Sequence, residues 1–184
     1  MRLYIGLLHY PVYNKHHEII ASAITSLNLH DLSRLARTYG VKRFFVITPL
    51  QDQQRLAERI RSHWTKGYGA IYNSHRKMAL ELIEIVPSLQ KSIKKIIELE
   101  GEAPLLIATD ASEQENRSIT HRQTRDLLNS QKVVILIFGT AWGLDKEVMN
   151  QADYILEPIR GCIDYNHLSV RTAAAIILDR LATK

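Results

Sequence analysis

Two stretches in the C-terminal half carry residue types that plain connectors seldom need. Gly139-Thr140-Ala141-Trp142-Gly143-Leu144 directly follows the apolar run Val133 to Phe138. Glycines there let the backbone approach a ligand closely, and a parallel sheet binds ligands in the crevice beyond the carboxyl ends of its strands. The spacing fits neither the dinucleotide fingerprint nor the Walker A loop, so a tight strand-to-helix turn is the competing reading. The second stretch runs eleven residues, Glu157 to His167, into a helix that begins near Leu168-Ser169-Val170. Connections that long in a compact domain are disproportionately functional. The free N–H groups at the helix start would suit a ligand's carboxylate or polar edge; alternatively, Asp164 or Asn166 simply caps the helix.

The elements that must hold these loops follow from apolar periodicity. Short apolar runs alternate with helical stripes, which predicts an α/β domain of parallel strands joined by crossover helices. Strands are expected at Leu3 to Leu8, Phe44 to Ile47, Leu82 to Val86, Leu105 to Ala108 and Val133 to Phe138. Helices are expected at 28–39, ending at Gly40, and at 51–64, with Gly67 and Gly69 breaking the run. Ser88 should cap a helix that buries Leu89, Ile93, Ile96 and Ile97 and stops at Gly101. The stretch 116–129 reads as a helix opened by Ser118 or Thr120. The last helix is clearest, because Val170, Ala173, Ala174, Ile177, Leu178 and Leu181 fall on one stripe. No internal repeat or linker interrupts the pattern, so residues 1–184 are expected to form a single domain.

Composition bounds the function. Lys and Arg number 24 against 19 Asp and Glu, a formal charge of +5, which should attract polyanions modestly. The excess is uneven: ten Lys or Arg lie between Arg34 and Lys77, against only Asp52 and Glu58. That predicts a basic face in the first half, or an ordinary solvated helix surface. A single cysteine, Cys162, cannot form an internal disulfide. His9, His16 and His17 lack the spacing of a zinc site, so no metal is expected. With no leader pattern and no apolar run near the ~20 residues of a membrane span, a cytoplasmic protein is expected.

Gly139 to Leu144, Pro158-Ile159-Arg160-Gly161, and Leu168-Ser169-Val170 before an Ala-rich helix resemble the last two motifs of the SPOUT, or α/β-knot, methyltransferases. Asn28, Arg34 and Gly40-Val41 match the spacing of a third motif, found in the branch that methylates ribose 2′-hydroxyls. With Tyr10 to Lys15 and Asp164 to Arg171 added, nearly the whole chain resembles a small bacterial family described as S-adenosylmethionine-dependent RNA methyltransferases. The resemblance implies a three-layer sandwich on a parallel sheet with a C-terminal trefoil knot. It also implies an obligate homodimer and tRNA or rRNA as substrate. S-adenosylmethionine would be held mostly by backbone at Thr109, Gly139, Thr140, Gly143, Leu156, Ile159, Gly161, Leu168 and Ser169. Ala141-Trp142 stands where that branch carries an acid in a loop one residue longer. His167 replaces an Asn and Tyr165 a Ser, which leaves ribose and base both open as acceptors.

Methyl transfer from a sulfonium needs aligned partners and an exit for the acceptor's proton. Through the resemblance, Arg34 is expected to orient an acceptor phosphate or act on its hydroxyl, with Asn28 beside it; the competing readings are an Asp31–Arg34 ion pair and Asn28 as a helix cap. Asp164 could serve as base or hold a substrate amine, or form a turn, and His167 could titrate as a base. Two other classes remain open: a knotted RNA-binding module that holds S-adenosylmethionine without turnover, and a doubly wound nucleotide- or flavin-binding protein. The second lacks its glycine-rich first turn, because the first strand ends in His9-Tyr10-Pro11.

Overall fold

Leu3 to Leu8 are all buried, as a strand covered on both faces must be. In the computed structural model, which describes residues 1–114, 116–163 and 165–183, this is β1 (Leu3–Leu8), an interior strand of the sheet. There follow β2 (Val12–Tyr13), β3 (Ile19–Ile20), α1 (Ser26–Thr38), β4 (Phe44–Ile47), α2 (Gln51–Thr65), α3 (Tyr68–Tyr72), α4 (Ser74–Leu80) and β5 (Ile83–Val86). The second half adds α5 (Leu89–Glu100), β6 (Leu105–Thr109), β7 (Ser118–Ile119), α6 (His121–Asn129), β8 (Val134–Gly139), α7 (Lys146–Gln151), β9 (Tyr154–Leu156) and α8 (Val170–Ala182).

The main sheet runs β5-β4-β1-β8-β6-β9-β7, and every pairing in it is parallel. Side chains of a strand alternate between faces, so Leu3, Ile5 and Leu7 join one core while Tyr4 and Leu8 join the other. The first core is closed by Leu29 and Leu32 of α1, Ala57 of α2, Leu80 of α4, Leu128 of α6 and Leu178 of α8. The second is closed by Leu89 and Ile96 of α5 and Val148 of α7. This is the α/β domain of parallel strands and crossover helices expected from the alternating pattern, with helices on both faces of the sheet.

The five expected strands are present, with Gly139 completing β8 and Thr109 completing β6. Several elements were not expected: the β2–β3 hairpin, α3, α4, α7, and the short strands β7 and β9. β9 lies between β6 and β7, paired to both. The carboxyl ends of β8, β6 and β9 therefore stand side by side at Gly139, Thr109 and Leu156.

Capping agrees with one reading, decides an open one and corrects a third. Ser88 caps α5 and Thr120 caps α6, the latter with a capping box closed by Gln123. α1 opens earlier than expected, because Thr25 is its cap and accepts from the Asn28 backbone N–H at 3.2 Å. Asn28 is therefore a first-turn residue rather than the cap.

Candidate functional site

The first loop is braced from below by a segment the sequence presents only as a polar connector. Val12 bridges Leu144, the Tyr13 N–H donates to the Gly143 carbonyl at 3.0 Å, and the Trp142 N–H donates to the Tyr13 carbonyl at 2.9 Å. The Tyr13 hydroxyl then accepts from the Lys146 N–H at 3.1 Å. Gly143 also donates to the Thr140 carbonyl, so both of its backbone polar groups are engaged within the protein. Gly139 sits where the turn folds back hardest: a Cβ there would lie 2.8 Å from Leu144 N and 3.0 Å from the Gly143 carbonyl carbon. Only glycine permits that approach.

Thr140 is tied down through its side chain. Its hydroxyl donates to the Leu8 carbonyl at 3.0 Å and meets the Ser22 hydroxyl at 2.5 Å, and Ser22 in turn meets His9 Nδ1 at 3.0 Å. A consistent donor order runs from His9 Nδ1–H to Ser22, from Ser22 to Thr140, and from Thr140 to Leu8. His9 Nε2 is then a buried acceptor with no partner among the described residues. Burial pulls the His9 pKa down to about 4, so the ring is neutral at physiological pH.

This relay predicts an acid-labile fold. Unfolded His9 takes up a proton near pH 6.5 and folded His9 only near pH 4, so the stabilisation is complete above pH 6.5 and lost as pH falls through that window. The loss should be on the order of 3 kcal/mol in urea unfolding. His30 shifts in the same direction, chiefly by burial, so His9→Gln should flatten most of the slope rather than all of it. An unchanged slope in that variant would show that the relay is not what acid breaks.

The second loop is pinned across the loop that follows β6. Asn166 Nδ2 donates to the Ala111 carbonyl at 2.7 Å, and Arg160 forms an ion pair with Glu113. Between them lies a crevice of about 290 Å³ bordered by Ala111, Pro158, Gly161, Cys162 and Ile163. Asn166 is not the cap of α8; the cap is Ser169, whose hydroxyl accepts from the Thr172 N–H at 3.2 Å. Asp164 lies outside the described residues. Glu157, which sequence reasoning left without a role, accepts from the His121 N–H at 2.7 Å and lies 2.8 Å from His121 Nδ1. Those bonds, led by the one from the His121 backbone, hold its carboxyl below the usual range.

The other ligand candidates divide by exposure. Thr109 donates its hydroxyl to the Ile137 carbonyl at 3.0 Å and offers backbone only. Leu156 is core, Ile159 packs against the first core, and Gly161, Leu168 and Ser169 are exposed. A second cleft, about 590 Å³, runs between α1 and α8 and is lined by Asp31, Arg34, Leu35, Ser169, Arg171 and Thr172. It brings Arg34 to the foot of the second loop. The Asp31–Arg34 pair suggested by their spacing is replaced by an Asp31–Arg171 pair at 3.1 Å, and Arg34 is exposed and makes no ion pair among the described residues. Asn28 is half-buried one turn and a half earlier on the same helix.

Among the described residues no group of three His, Cys, Asp or Glu side chains could hold a metal ion. No helix among them is long and apolar enough to cross a membrane.

A parallel sheet whose three adjacent strand ends carry loops at one edge, the crest, has the architecture in which α/β proteins bind small ligands. The model of a family described as SAM-dependent RNA methyltransferase matches residues 2–183, and the chain belongs to that family. It is 42% identical over 97% of its length to a protein of Oleidesulfovibrio alaskensis called tRNA (guanine-N(1)-)-methyltransferase, but spans only 41% of that relative. Among solved structures, TrmJ from Z. mobilis ZM4 superposes with a TM-score of 0.65 at 12% identity, over 100% of this chain and 69% of the other. The A. aeolicus TrmH/SpoU tRNA modifying enzyme gives a TM-score of 0.56 at 17% identity, over 98% and 74%. The fold is thus the one shared by SPOUT methyltransferases.

The residues at the crest fit the family's methyl donor. Gly139 leaves no room for a side chain between strand and loop, and Ala111, Pro158 and Gly161 border the crevice with small groups that expose backbone. Such a lining suits a ligand with an adenine edge to pair and a narrow tail to pass.

Proposed function

We propose that the chain is a single catalytic domain that transfers a methyl group from S-adenosylmethionine to a nucleotide of tRNA or rRNA, on ribose or base. The observation that carries this reading is the crevice between the pinned second loop and the loop after β6, at the carboxyl end of the sheet. When bound, S-adenosylmethionine supplies an electrophilic methyl group on a sulfonium. Backbone at Thr109, Gly139, Thr140, Leu156 and Ile159, with Gly161, Leu168 and Ser169, holds the donor at the crest, while Gly143 shapes the first loop. Arg34, with Asn28 on the same helix, holds the acceptor's phosphate, since a guanidinium donates in a fork that matches phosphate oxygens. Transfer would release the acceptor's proton, which a base of the protein would take up. Asp164 and His167 lie in the loop from which a base would act.

Three further parts of the proposal follow from placement. The Ile155 and Glu157 N–H groups donate to the Arg117 and Ile119 carbonyls, which suits a tail threaded through the 110–117 connection as a trefoil knot. Leu27 in the first turn of α1 and Leu168 just before α8 are exposed, which suits a homodimer closing over the α1–α8 cleft, and sedimentation should give twice the chain mass. The protein is expected to act in the cytoplasm, where RNA and donor coexist. The acceptor atom in the relative's name belongs to a protein more than twice as long, and is not carried over.

Two measurements test the reading. Calorimetric titration should detect S-adenosylmethionine at tens of micromolar or tighter, and its absence would remove the enzyme reading. Mass spectrometry of nucleosides from a deletion strain should show one methylated nucleoside missing relative to the parent. Donor binding with an unchanged nucleoside profile would favour a non-catalytic RNA-binding module instead.

A further inference from the structure

We infer that α3 is a stacking platform for unpaired RNA bases, a reading that rests on the RNA substrate proposed above. Its one turn presents Tyr68, Ile71 and Tyr72 to solvent at 73%, 86% and 74% exposure. The two tyrosine rings stack with centroids 6.0 Å apart and planes at 23°. Exposing three large apolar side chains on one short turn contributes nothing to folding, so a partner must account for them.

The turn is held rigidly. Gly69 lies directly on Trp64, and a Cβ there would come within 2.6 Å of the indole ring. Asn73 donates its N–H to the Gly69 carbonyl at 3.0 Å and caps α4 by accepting from the Arg76 N–H at 2.9 Å. Arg76 in turn lies over the Trp64 ring, 4.4 Å from its centroid. Aromatic side chains fixed in this way lose little entropy when a base stacks on them.

Charge selects the partner. Residues 59–80 contain five Lys or Arg and no Asp or Glu. Lys66 and His75 flank the tyrosines and are exposed. The cores of protein interfaces are poor in Lys, whereas single-stranded nucleic acid is bound by aromatic faces set among cations. The platform also adjoins the proposed acceptor site: α4 packs on α1, and His30 of α1 meets Trp64 edge-on at 5.4 Å. Arg76, which lies over that same Trp64 ring, is thereby linked to His30, four residues before Arg34 on α1. Cations thus run from the tyrosine pair to Arg34, so nucleotides flanking the target would lie on α3 while the target reaches α1.

The test is binding of a single-stranded, 2-aminopurine-containing oligoadenylate of twelve nucleotides, read by fluorescence. Wild type should quench the probe on binding. Tyr68→Ala/Tyr72→Ala should weaken binding by about tenfold or more and abolish the quench, while Tyr68→Phe/Tyr72→Phe retains both. The melting temperature and the calorimetric affinity for S-adenosylmethionine should not change. Wild-type probe affinity in the alanine variant, or a halved sedimentation mass showing that the turn packs on a second copy, would overturn the platform. If the donor binds but RNA affinity is unmoved, the platform fails while the methyltransferase reading stands. If RNA affinity falls in a chain that never binds the donor, the platform stands and the enzyme reading fails.

Discussion

Gly139→Val should cut affinity for S-adenosylmethionine by about a hundredfold in calorimetry, roughly 2.7 kcal/mol, and abolish methyl transfer with it. A Cβ at this position strikes backbone, at Leu144 N and the Gly143 carbonyl carbon, so no rotamer relieves the contact. The loop must move, and its two hydrogen bonds to Tyr13 resist that movement. Strain of this kind typically costs about 1–3 kcal/mol, so a fall of several degrees in Tm is expected as well. Gly161→Val separates the two effects. Nothing lies within 4 Å of a Cβ at Gly161, yet Gly161 borders the crevice. That variant should melt like wild type while binding the donor more weakly. Normal donor affinity in a folded Gly139→Val protein would remove the first loop from the cradle.

What could be read in one dimension was what depends on neighbours in sequence. The long strands announce themselves because a run such as Val134–Phe138 is apolar on both faces, and Ser88 and Thr120 cap helices through bonds three residues away. β9 was missed because Tyr154-Ile155-Leu156 is too short to show a period, and its place is set by pairing with β6 and β7. α3 was missed because Gly67 and Gly69 read as breakers. They do end α2, but Gly69 also lets the next turn settle on Trp64. At the candidate site the same division holds. The two glycine-bearing loops were legible from residue type, whereas the brace from Tyr13 and the relay through His9 and Ser22 join segments more than a hundred residues apart. Asp31 shows the cost of local reasoning most plainly: Arg34 is three residues away, yet Arg171 takes the carboxylate across 140 positions.

That exchange makes Arg34 the most informative single substitution. A guanidinium that is exposed and makes no ion pair among the described residues supports little of the fold, so Arg34→Ala should leave stability within about 0.5 kcal/mol. If Arg34 holds the acceptor phosphate as the methyl group moves, its removal should lower the rate of transfer by roughly a hundred- to a thousandfold, as loss of a preorganised donor does elsewhere. Donor affinity should stay within a few-fold, because the crest loops are untouched. Arg34→Lys should recover only part of the rate, since a point charge lacks the fork that fixes a phosphate in two places. Arg171→Ala gives the counterpart: it frees Asp31 to bind Arg34, so transfer should slow without any loss of the Arg34 side chain. Transfer by Arg34→Ala at the wild-type rate would place the acceptor elsewhere than the α1–α8 cleft. Loss of donor affinity in Arg34→Ala as large as in Gly139→Val would instead show that this arginine belongs to the donor's cradle, and that the two sites are one.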